Sequence, residues 1–147
     1  MSAPAATVFK LIYTSLAVNA FSAADLVSLL DRAQSNNAGL GVSGLLLLRK
    51  HRFMQLIEGP EAAVRSVYQR IALDQRHSEV RQVLEMEGER RDMPNWHMAF
   101  STDGLMARNP GVLRAAYFIS PDSAIGLCST METDVSAALI GFLQADP

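Results

Sequence analysis

Seven residues near the middle of the chain leave little choice of architecture. Positions 42–48 read V-S-G-L-L-L-L, an apolar run with no alternation of polar and apolar positions. Such a run fits a β-strand that is covered on both faces. A polar turn at Lys50 to Arg52 follows, and then R-F-M-Q-L-I-E at 52–58. The two runs predict a hairpin. Gly59-Pro60 ends its second strand, and Pro60 suits the first position of a helix. Val64, Val67, Tyr68 and Ile71 give that helix an apolar stripe, which runs out around Asp74 to His77.

The same reading extends in both directions. T-V-F-K-L-I-Y at 7–13 is β-branched and aromatic and predicts a strand. Ser22, with Asp25 three residues on, predicts a capped helix start. Leu26, Leu29, Leu30 and Ala33 recur at helical spacing, and Gly39 and Gly41 place the helix end near Asn36 and Asn37. Residues 80–87 and 96–100 (W-H-M-A-F) predict two further strands. The order is strand, helix, strand, strand, helix, strand, strand. This is an α+β fold: a ferredoxin-like βαββαββ arrangement with a five-stranded mixed sheet and both helices on one face. The strands are apolar on both sides, so the other face also needs cover. Residues 112–119 and 133–143 predict helices, separated by a turn-rich S-P-D-S-A-I-G, and this tail supplies a C-terminal helical cap. The expected division is 1–101 for the main domain and 102–147 for the cap.

The chain has 147 residues, enough for one domain with a sizeable core. Its formal net charge is -2, with no basic stripe, which argues against nucleic acid. No apolar run is long enough to span a bilayer, and no signal peptide is evident, so neither a membrane nor export is expected. The single cysteine, Cys128, excludes an internal disulfide and gives no metal set. The expected location is cytoplasmic.

Several polar residues stand where chemistry is possible. Tyr13 ends the first strand, and Gln55 lies in the third among apolar neighbours. In a ferredoxin-like sheet those strands are central neighbours. Period-two alternation puts Phe53, Gln55 and Ile57 on one face and Met54 and Leu56 on the other. A buried amide left unpaired costs about 1–3 kcal/mol, so Gln55 needs a partner, and a phenol on the next strand would serve. Taken alone, the pair is better explained as a structural hydrogen bond, or Gln55 as a residue at an exposed strand end. Asn36 and Asn37 could hold the edge of a uracil-like ring. Asp74, Arg76 and His77 could meet a ligand carbonyl or phosphate. Taken alone, the first is a helix cap and the second a charged turn. Leu29 and Ile71 could wall an apolar cleft between the two helices that suits a planar ligand. Trp96 and Met98 share a face and by themselves read as core.

Five ordered segments together resemble the BLUF family, the sensors of blue light using FAD. They are Y-T-S at 13–15, N-N-A-G-L-G-V-S-G-L-L at 36–46, F-M-Q-L-I-E-G-P at 53–60, D-Q-R-H at 74–77 and W-H-M-A-F at 96–100. The resemblance implies FAD held noncovalently between the helices, with FMN a possible variant. It implies that Tyr13 is photoactive and that Gln55 is the switching glutamine. It also implies that Asn37 bonds the ring's pyrimidine edge, with Asn36 at a neighbouring position. Arg76 and His77 contact the ring beside acidic Asp74, and Ser15 lies near the site. Trp96 and Met98 relay the signal. No catalytic residue is implied. The family mechanism is a light-driven rearrangement of the Tyr–Gln–flavin hydrogen bonds, signalled through the fifth strand and the C-terminal helices. Met93 departs from the Phe frequent in the family's R-x-F-x-x-W pattern. The implied partners are further copies of the chain, as a dimer or larger, and a separate signalling protein. Apolar Val112, Leu113, Ala116, Phe118, Leu139, Ile140 and Leu143 offer surface for the sheet or a second subunit. Two other readings compete. One is a light-insensitive flavin-binding or oligomerisation module. The other is an acylphosphatase-like hydrolase, which the absence of Arg from S-L-A-V-N-A-F-S at 15–22 disfavours.

Overall fold

The computed structural model describes residues 7–18, 22–115 and 117–145. Ala116 and the outermost residues of the two expected segments (1–6 and 146–147) lie outside the described residues. The strands are β1 (Val8–Ala17), β2 (Ser43–Arg49), β3 (Arg52–Gly59), β4 (His77–Gly88) and β5 (Ala99–Thr102). They form one sheet in the order β4-β1-β3-β2-β5. β3 is antiparallel to both β1 and β2, and β5 joins β2 in parallel. This is the mixed, ferredoxin-like sheet that the sequence predicts.

Helix α1 (Ala23–Leu40) opens on the expected capping box: Ser22 Oγ accepts from Asp25 N at 3.0 Å, and Asp25 accepts from Ser22 N at 3.4 Å. It runs farther than the glycines suggest. Gly41, at φ 69°, is the left-handed cap, so Asn36 and Asn37 sit in the last turn and not beyond it. Only Gly41 needs the conformational freedom of glycine; Gly39 continues the helix. In α2 (Glu61–Leu73), Pro60 takes the N-cap position, one residue earlier than expected.

Alternation along the strands sorts the core into two faces. Tyr13, Leu46, Phe53 and Ile57 belong to the clusters that meet α1 and α2. Ile12, Leu45, Leu47, Met54 and Leu56 form the opposite cluster. Each such side chain contributes about 1.5–3 kcal/mol on burial, so both faces must be covered.

The tail divides between them. After α3 (Gly104–Ala107) and α4 (Pro110–Leu113), Val112 and Tyr117 pack with α1, and Tyr117 Oη donates to Asp31 at 3.0 Å. Then α5 (Pro121–Cys128) and α6 (Thr133–Gln144) cross to the other face, where Cys128, Met131, Val135 and Leu139 complete its core.

Three expectations are corrected. Residues 112–119 do not form one helix: α4 ends at Leu113, and beyond it the chain bridges Phe118 to Phe100, with Ile119 N donating to Phe100 O at 2.7 Å. The segment expected as a turn is α5 itself, because Ser120 caps it and Pro121 occupies its first turn. Trp96 and Met98 precede the fifth strand, which begins at Ala99, because the backbone at 96–98 is held by α1 and β2 through irregular contacts. Among the described residues, no helix is long and apolar enough to cross a membrane.

Candidate functional site

A cavity of about 300 Å³ lies between α1 and α2, with the sheet as its floor. That is the lower end of the size range of small-molecule sites. Leu29, Ala33, Val67 and Ile71 line its apolar walls, and Tyr13, Leu46, Gln55 and Met98 also face it. Asn36, Asn37, Asp74, Arg76 and His77 stand around it as polar groups.

The floor follows from strand register. Tyr13 is directly opposite Gln55 across β1 and β3, and Leu46 faces Gln55 from β2. The Tyr13 hydroxyl donates to Gln55 Oε1 in a short, buried hydrogen bond. The other end of the same amide, Nε2, donates to Met98 Sδ at 3.1 Å. Burial raises the pKa of Tyr13 above its ordinary value, and Tyr68 and the charge of Asp74 add to the effect. The phenol therefore keeps its proton, which it donates to Gln55 Oε1. Tyr68 packs against it with ring centroids 5.6 Å apart.

Helix α1 supplies one rim. Asn37 is buried and donates to His97 O at 2.8 Å, which spends one of its two amide N–H groups. Asn36, one position before it, is exposed and lines the cavity. Gln34 donates to Met98 O at 3.3 Å. The last turn of α1 thus holds the backbone that carries Met98 to Gln55.

The turn after α2 supplies the other rim. Asp74 accepts from Arg76 Nη2 at 2.5 Å and from Arg76 Nε at 3.0 Å. The guanidinium holds the Asp74 carboxyl down at about 2. His77 opens β4, and its Nδ1 lies 2.9 Å from Ser15 Oγ. Burial lowers the His77 pKa, against a smaller opposing effect of Asp74.

Most of the site residues expected from sequence therefore meet around one space: Tyr13, Leu29, Asn36, Asn37, Gln55, Ile71, Asp74, Arg76, His77 and Met98. Ser15 stands behind His77 and does not line the cavity; it faces a separate recess beside Thr14 and Arg52. Trp96 is half-buried between two core clusters, also away from the cavity lining. Sequence reasoning missed Arg32 and Arg70, which also line the cavity. Each lies four residues before a residue it did name, Asn36 and Asp74, so helical spacing was the available signal.

Comparison with known proteins agrees with this geometry. The family model described as sensors of blue-light using FAD matches residues 8–99. The photoactivated adenylate cyclase subunit beta of Euglena gracilis is 33% identical over 140 residues, covering 95% of this chain and 16% of that protein. The chain thus spans about a sixth of the length of that relative. Klebsiella pneumoniae BlrP1, solved with FMN and cyclic diGMP, is 32% identical with a TM-score of 0.59, over 63% of this chain and 25% of the other. The dark-state structure of BlrB, described as a BLUF protein, shares the fold at a TM-score of 0.65 and 22% identity, covering 92% of this chain and 93% of that one. The chain belongs to the BLUF family, the sensors of blue light using FAD.

Proposed function

We propose that the chain senses blue light through a switch made of Tyr13, Gln55 and Met98, and that it reports the switch through residues 96–98 and the C-terminal cap. The observation that carries this is the hydrogen-bonded row Tyr13–Gln55–Met98 on the cavity floor.

The residues present fit a flavin. The cavity has apolar walls at Leu29, Ala33, Val67 and Ile71, and carboxamides from α1 and a charged turn after α2 stand around it, as a ring with one polar edge requires. Asn37, Asn36 and Gln55 would hold that edge, and Arg76 and His77 would meet it from the α2 side. Bound there, FAD supplies an isoalloxazine ring that blue light turns into a strong oxidant; FMN would supply the same ring.

With the ring bound, Tyr13 would be the residue placed to give it an electron while its hydroxyl proton passes along the hydrogen bond to Gln55 Oε1, and to take both back. Between those events the Gln55 amide is free to rearrange. It is held by one bond from the Tyr13 hydroxyl and by one weak bond to a thioether, which is a poor acceptor. A turn of the amide, or a change of tautomer, exchanges donor for acceptor at both ends. Either change costs little on the Met98 side and ends the Met98 contact. Asp74, Arg76, His77 and Ser15 keep the rim in place. The main domain would be residues 1–101 and the cap 102–147. The chain is read as having no enzyme activity of its own and a cytoplasmic setting, with output through a homo-oligomer or a separate signalling protein.

The test is the absorption spectrum of the purified protein before and after blue light. A yellow protein whose spectrum shifts reversibly to the red supports the reading. A yellow protein that does not respond to light is an inert binder, and a protein that takes up no flavin ends the reading.

A further inference from the structure

Glu58 lies three residues beyond Gln55 on β3, and that odd spacing turns it to the opposite face. It is fully buried, and so is Lys10, its direct cross-strand neighbour on β1. The Glu58 carboxylate accepts from Lys10 Nζ at 3.1 Å and from Ser43 Oγ at 2.9 Å. It also accepts from two backbone amides of the segment after β4, Asp92 N at 2.9 Å and Met93 N at 2.7 Å. Lys10 donates in turn to Asp92 Oδ2 at 2.5 Å. Buried charges are tolerated when they are paired and hydrogen-bonded; Glu58 accepts from four donors, and Lys10 is paired with Glu58 and Asp92 and lies 3.8 Å from Glu132 Oε1.

The cluster joins three parts of the chain. The first is β3, which carries Gln55. The second is the 91–93 segment, which five residues later delivers Met98 to Gln55. The third is the cap: Glu132, the residue before α6, donates its N–H to the remaining Asp92 oxygen at 3.2 Å. A second polar tie between this segment and the cap, from Arg90 to Thr130 O, is exposed, where water competes with it. Met93 also packs against α6, but apolar packing has no preferred direction.

We propose that the buried Lys10–Glu58–Asp92 cluster is the junction between the light switch and the cap, with Asp92 as the positioning residue that carries a shift of residues 91–98 into α6. Glu58 fixes one end of the segment to β3. When Met98 leaves Gln55 the other end relaxes, and Asp92, bonded to both sides, transfers the change to Glu132. The inference rests on the proposed switch and names its route.

The experiment uses the full chain loaded with FAD, in dark and in light, reading the flavin spectrum and hydrogen exchange together. In the parent, light should shift the flavin spectrum and change exchange across residues 96–102 and 130–144. Asp92→Ala should keep the red shift and the change at 96–102 while losing the change at 130–144. A purely structural role would lower stability in both states and leave that light-minus-dark difference intact. Should Asp92→Ala fail to fold, Glu132→Pro, at a φ of -54° that a proline ring accepts, removes the N–H together with the carboxylate that lies 3.8 Å from Lys10 Nζ; measured against a Glu132→Ala control, which removes the carboxylate alone, it should give the same loss. An α6 response equal to the parent's in either variant overturns the junction and leaves the switch standing. A parent with a red shift and no exchange change anywhere across 96–145 overturns the output route, and the junction with it.

Discussion

Gln55 sits between a phenol that donates to it at rest and can also accept, and a sulfur that accepts poorly, so its amide has a cheap way out of its resting orientation. Gln55→Leu removes both ends of the row with little change of volume. We expect that variant to retain flavin and to lose the lasting red shift. Tyr13→Phe should lose it too, since the ring stays and the transferable proton goes, whereas Asn37→Ala should weaken flavin retention. Absorption before and after illumination, with flavin content by mass spectrometry, checks all three; a Gln55→Leu protein that cycles like its parent would sink the mechanism. The pairing of Tyr13 with Gln55 was legible because period-two alternation and a known strand order suffice to bring two residues together. Asn37 was legible in place but not in action. Its bond to His97 O depends on where an irregular segment passes, and no periodicity encodes that. Lys10 and Glu58 were invisible as a pair. A lysine in a strand reads as a solvated side chain until the cover of both sheet faces is known.

Among the elements, regular periodicity was read correctly and irregular burial was not. W-H-M-A-F looks like a strand because its apolar residues are buried, yet only Ala99 onward makes ladder bonds. The segment before it runs across β2, where Gly44 N donates to Trp96 O at 3.1 Å. Ser120, Pro121 and Gly126 read as turn chemistry, although a Ser-Pro pair is equally the start of a helix. β2 shows how closely these elements are fitted. A Cβ on Gly44 would stand 2.1 Å from Leu56 O on the neighbouring strand and 3.3 Å from Met98 Cε. Backbone cannot yield there as a flexible side chain would. We therefore expect Gly44→Ala to destabilise the fold by about 1–3 kcal/mol, the usual cost of overpacking. Denaturant unfolding measures this, and a variant within error of the parent would show that β2 and β3 part more easily than the register implies.

For the molecule as a whole, the sheet divides a ligand-facing half from a cap-facing half, and the ionisable groups buried in each set its stability against pH. On the acid side, His77 has a folded pKa below 6.5, so the unfolded chain takes up a proton first and stability falls as pH drops below 6.5. Asp74, held at about 2 against an ordinary 3.8, adds a further loss between those values. On the alkaline side the sign reverses. Burial pushes the Cys128 thiol from 9.0 up to about 12, with the charge of Asp92 adding to it, and raises Tyr13 above 10.0. The unfolded chain then loses protons first, and stability falls as pH rises above 9. We expect a plateau of thermal midpoints between about pH 6.5 and 9. Cys128→Ala should move the onset of the alkaline decline toward pH 10, the ordinary value for tyrosine; an unmoved onset would mean that the thiol does not titrate in this way. The cap itself has a mechanical side. α6 spans about 18 Å at 1.5 Å per residue. Asp92 pins its start, and Arg49 pins its finish by donating to Phe142 O and Ala145 O, both at 2.7 Å. Val135 and Leu139 seat it along its length. A beam held in this way does not slide along its axis. Freed at the Asp92 pin, it pivots about Arg49, so its travel is greatest at Glu132 and fades toward Gln144.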